Sequence, residues 1–73
     1  MTWKVFLKEK GFDNIAKVLG TTYETVRRWY VGLAAPNRYL KPLCSYAHKE
    51  LSTEEFIEFL NSISVDMTGF KPV

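Results

Sequence analysis

Three glycines and one serine divide the apolar residues of this chain into five short stripes, each spaced as one face of a helix. Trp3, Phe6 and Leu7 form the first, with Gly11 as a left-handed stop. Phe12, Ile15, Ala16 and Leu19 form the second, with Asp13 placed as its N-cap and Gly20 closing it. Val26, Trp29, Tyr30 and Leu33 make the third, between a Thr22 cap and a Gly32 stop. Leu40, Leu43, Cys44, Ala47 and Leu51 make the fourth, which puts Pro42 in a first turn, where its missing N–H is harmless. Ser52-Thr53-Glu54-Glu55 is a capping box that starts the fifth, and Phe56, Phe59, Leu60 and Ile63 follow on one face. Helices this short hold only by packing on one another. The expectation is therefore an all-α fold: one compact five-helix domain spanning residues 1–73.

Beyond the fifth stripe the period changes. Ile63, Val65 and Met67 alternate with Ser64, Asp66 and Thr68, which is strand spacing. The tail, residues 63–73, is expected either to form a short C-terminal strand or to lie over helices 1 and 5 of its own chain. An unpaired strand pairs most simply with its symmetry mate. Ile63, Val65 and Met67 are thus dimerisation residues on the strand reading, and off-stripe Ile57 on helix 5 is the other exposed apolar residue available.

The charge is unevenly spread. Residues 1–49 carry nine basic side chains against Glu9, Asp13 and Glu24, a net of +6, whereas residues 50–73 net −4. That asymmetry points to a polyanionic partner for the N-terminal part. Other classes fall away. Trp29 to Ala35 is the longest nearly apolar run, too short to span a bilayer, and the N-terminus lacks a secretory apolar core. The lone cysteine, Cys44, has no disulfide partner and lies on an apolar stripe, so a cytoplasmic location follows by elimination. One histidine, His48, and one cysteine make neither a zinc set nor a nucleophilic triad, and no glycine-rich phosphate cradle exists. No enzyme, cofactor, metal or small-molecule ligand is expected.

Residues 12–32 carry the most specific pattern. A helix-turn-helix needs a small residue where its helices cross, a residue tolerant of positive φ in the turn, and apolar residues holding the second helix down. Ala16, Gly20 and the Val26/Trp29 pair supply these in order. With Val26, Trp29 and Tyr30 inward, Glu24, Arg27, Arg28 and Val31 face outward, with Tyr23 at the helix start. Arginine is the side chain best shaped for a bidentate grip on guanine. Tyr23 either joins that face or folds back on Tyr30.

The segment IAKVLGTTYETVRRWYVG, residues 15–32, resembles the Cro- and CI-type helix-turn-helix of lambdoid phage repressors and their bacterial relatives. Pro36, Leu40, Leu43, Ala47 and Leu51 resemble the fourth helix of that lambda-repressor-like fold, and LSTEEFIEFL its fifth. The resemblance implies a sequence-specific binder of double-stranded DNA that regulates transcription, in the manner of a Cro-like repressor acting as a homodimer. It places Tyr23, Glu24, Thr25 and Arg28 at base edges, with Arg27 beside them. Phosphate contacts fall to Asn14, Lys17 and Thr22, and to Asn37, Arg38 and Lys41 after the second helix. Two features depart from the family. The segment between Gly11 and Ala16 is about two residues shorter than in the lambdoid repressors. Glu24 puts an acid on the reading face, where it either accepts from a cytosine amino group or orients Arg28 four residues on. The alternative function is a small antitoxin or anti-regulator that uses the same fold to bind a protein through acidic helix 5 and the tail.

Overall fold

The computed structural model describes residues 1–69, with side chains through Met67. Its helices are α1 (Trp3–Lys10), α2 (Phe12–Leu19), α3 (Tyr23–Val31), α4 (Leu40–Glu50) and α5 (Thr53–Gly69), with a 3₁₀ turn at Asn37–Tyr39 before α4. No strand occurs among the described residues. Every helix feeds one core: Trp3, Phe6 and Leu7 from α1, Ile15, Ala16 and Leu19 from α2, Val26 and Trp29 from α3, Leu43 and Ala47 from α4, Phe59 and Ile63 from α5. Phe6 meets Phe59 edge-on at 5.4 Å between centroids, which ties the first helix to the last.

Local chemistry accounts for most helix ends. Thr22 Oγ1 accepts from the Thr25 amide at 3.3 Å and starts α3. The Ser52–Glu55 capping box forms in both directions, at 3.3 and 3.1 Å, and Pro42 sits in the first turn of α4. Asp13 is not the cap of α2. That helix already begins at Phe12, so Gly11 is at once the last cap of α1 and the first of α2, and Asp13 lies inside the first turn. Gly11 has positive φ with an extended ψ of 133°, a one-residue joint and not the left-handed stop expected. Leu33 also departs from its stripe: Gly32 ends α3 before it, and Leu33 is 74% exposed.

The turn from α2 to α3 depends on Gly20, which is left-handed at φ 75° and ψ 33°. Its N–H and that of Thr21 both close on the carbonyl of Ala16, whose side chain is buried. A Cβ at position 20 would meet nothing within 4 Å, so the main penalty for adding one is backbone strain. Gly20→Val should therefore destabilise the fold by about 1–3 kcal/mol. Gly20→Asn, which tolerates this conformation, should lose clearly less. A thermal melt decides: equal midpoints for the two variants would mean that the turn is not held left-handed.

The strand expected in the tail is a helix. α5 runs through Gly69, so Ile63, Val65 and Met67 are helical. Two of the three that alternate, Ile63 and Met67, also complete a helical stripe with Phe56, Phe59 and Leu60, and packing selects that period and leaves Val65 exposed. A second helical row, Ser62 and Asp66, meets the start of α1: the Trp3 backbone N–H donates to Ser62 Oγ at 2.9 Å, and Trp3 Nε1 donates to Asp66 Oδ2 at 2.5 Å. The Met1 ammonium pairs with Glu58 one turn earlier. Residues 70–73, the end of the expected tail, lie outside the described residues.

Candidate nucleic-acid interface

α3 is locked from behind by Val26 and Trp29, which turns its other faces outward. Glu24 sits in the first turn of that outward face. Arg27 donates to its carboxylate through two nitrogens, at 2.9 and 2.7 Å, while Arg28 offers only Nε, at 3.4 Å. The hydrogen-bonded Arg27 guanidinium, helped by Arg28, lowers the Glu24 carboxyl to about 2. Glu24 in turn raises Arg27 above its ordinary value. The expected pairing of Glu24 with Arg28 is thus the weaker of two, because three-residue spacing gives Arg27 the two-pronged geometry.

The two arginines flank different surfaces. On the side of Arg27 runs a row of rings: Tyr23 packs on Phe12 at 5.6 Å, and Phe12 packs on Tyr30 at 5.2 Å. Tyr23 is 51% exposed and stays on the outward side, and its ring meets Phe12, which in turn meets Tyr30. Lys8 Nζ stands 6.0 Å from the Tyr30 ring at the far end of the row. Lys8 is not among the expected contact residues, since α1 lies outside residues 12–32 and only folding brings it beside Tyr30.

On the other side, Thr25 and Arg28 line a shallow groove of about 330 Å³ together with Asn37, Arg38 and Tyr39. Tyr39 packs against Trp29 at 5.6 Å and buried Pro36 anchors the preceding loop, which carries Arg38 to the flank of α3. Two residues expected at bases and two expected at phosphates thus share one surface. Arg38 forms no ion pair among the described residues and keeps its donors available.

The remaining candidates are more dispersed. Lys17 is exposed on α2. Asn14 uses its amide on the Tyr46 hydroxyl of α4, at 3.2 Å, and Thr22 shares its hydroxyl with Thr25, at 2.9 Å. Lys41 borders a separate apolar groove between α4 and α5, lined also by Cys44, Leu60 and Met67. Burial there pushes the Cys44 thiol above its usual range. Of the four dimerisation candidates, Ile63 is only 4% exposed and belongs to its own core, which removes it from any free face. Ile57 and Val65 are exposed, and Met67 is half-buried against the core. Among the described residues, no group of three His, Cys, Asp or Glu side chains could hold a metal ion, and no helix is long and apolar enough to cross a membrane.

No protein-family model, curated protein or solved structure matches this chain.

Proposed function

We propose that this chain is a sequence-specific double-stranded DNA-binding regulator of transcription, in which α2 and α3 act as a helix-turn-helix and α3 enters the major groove. The observation that carries the reading is the shared groove: Arg28 from α3 and Arg38 from the following loop open onto one surface beside the outward face of a helix pinned from behind. Arg28 and Arg27 address base edges, with Tyr23, Glu24 and Thr25 around them, while Arg38, Asn37 and Lys17 lie along the backbone. Two copies on a near-palindromic site supply the base pairs that one short helix cannot reach, with exposed Ile57 on α5 available to the contact. Repression is steric, in the cytoplasm, by occupation of an operator.

The test is a mobility shift on duplexes selected from a random pool, repeated against salt. Arg38→Ala should weaken selected and random duplexes alike and reduce the salt slope by about one unit. Lys41→Ala, at the edge of the α4/α5 groove, should change the slope by less. A chain that enriches no duplex but captures a protein partner would instead be an antitoxin or anti-regulator.

A further inference from the structure

Glu24 is the only acid on α3, and it stands between the two arginines of the face that is to meet a polyanion. The residue is not needed to cap α3, because Thr22 does that. Nor does it anchor the helix to the core, since about half of its side chain is open to solvent. What it does is occupy Arg27. A carboxylate offers the guanidinium fork two acceptors in a plane, the same geometry that a phosphate or a guanine edge offers. Glu24 therefore fills the arginine with an internal ligand of the kind its partner would supply.

We propose, resting on the duplex-reading proposal above, that Glu24 is a specificity-determining residue: its two-pronged hold on Arg27 must be broken before Arg27 can serve a duplex, and the exchange is repaid only where the major groove presents a cytosine amino group to the freed carboxylate. Random DNA is held almost wholly by neutralised phosphates. On such DNA, Glu24 withholds one cation and adds one anion near the backbone, so binding weakens. At a site with cytosine opposite the first turn of α3, the exocyclic amino group donates to the carboxylate and Arg27 is free for the DNA. Glu24 thereby widens the gap between the right site and all others by penalising the others. The row of Phe12, Tyr23 and Tyr30 beside Arg27 gives the freed guanidinium an apolar wall along which to reach.

The experiment compares wild type with Glu24→Gln, which keeps the shape and removes the charge. Fluorescence anisotropy on the best wild-type-selected duplex and on a random duplex is followed from about 50 to 200 mM salt. Glu24→Gln should bind the random duplex about tenfold tighter near 0.1 M salt, the factor that one more neutralised phosphate supplies there, with a slope steeper by about one unit. The ratio of selected to random affinity should fall, and a selected pool should lose its cytosine preference at one position. In an Arg27→Ala background the same change should tighten random binding by clearly fewer fold, because the cation it frees is gone. An unchanged random affinity and slope, in a variant with wild-type circular dichroism, would overturn the proposal while leaving DNA binding intact. Failure of the wild type to bind any duplex would overturn the DNA reading itself, and this proposal with it.

Discussion

A chain ending at Ser62 should lose its cooperative thermal transition, although only an apolar-polar alternation marks the segment removed. Ile63 is buried among residues from the other helices, and losing such a side chain costs about 2–5 kcal/mol. The truncation also strips Asp66 from the indole N–H of Trp3, a residue with no exposed surface, and an orphaned buried donor costs about 1–3 kcal/mol more. Met67 goes as well, from its place against the core. Small domains sit at the low end of the usual 5–15 kcal/mol or so of stability, so these losses consume most of it. Val65→Ser in the same segment makes the contrast, since Val65 is 72% exposed and its replacement should shift stability by no more than about 0.5 kcal/mol. Far-UV circular dichroism against temperature reads both. A truncated chain melting within a few degrees of the intact one would free residues 63–67 for pairing between chains.

Arg28→Ala should cost about 1–3 kcal/mol at the selected duplex, roughly fivefold to more than a hundredfold in affinity, and relax preference at one base pair. The geometry behind this is the uneven sharing of Glu24. Arg27 is engaged through two nitrogens, whereas Arg28 gives up only Nε at 3.4 Å and reaches the groove that holds Arg38. Arg28 thus approaches DNA with less to exchange, and its loss is not buffered by an internal partner. Its side chain is exposed and packs no core, so the variant should melt as wild type does. Competition with single-base substitutions in the duplex is the measurement. Weakening that is equal for every sequence would make Arg28 a phosphate contact, and the face of α3 would then be read from a different register.

Much of this architecture is written locally. The spacing of Trp3, Phe6 and Leu7, or of Val26 and Trp29, defines a helix face without reference to any other helix. The Thr22 cap, the Ser52–Glu55 box and the left-handed Gly20 act within three or four residues, so they are legible one segment at a time. Asp13 falls two positions past the cap of α2 and Leu33 one past the cap of α3, because Gly11 and Gly32 each end a helix while capping or apolar residues continue past them. The outward residues of α3 were legible because inward Val26 and Trp29 leave Glu24 and Arg28 only one direction.

Where two local readings are equally good, distance in the chain decides. Ile63 and Met67 fit a strand face and a helix stripe alike, and the residue that chooses between them is Trp3, which binds Ser62 and Asp66 from about sixty positions away. Glu24 has legal partners three and four residues on, and only the settled side chains show that Arg27 takes both oxygens. Arg28 and Arg38 share a groove because Tyr39 packs on Trp29, a contact between segments that carry no common pattern. Helix faces, caps and stops arise from chemistry within a turn, and so the order of residues specifies them. The end of α5, the partner of Glu24 and the meeting of two arginines arise from burial across the fold, where apolar packing selects among states that local chemistry leaves nearly equal in energy.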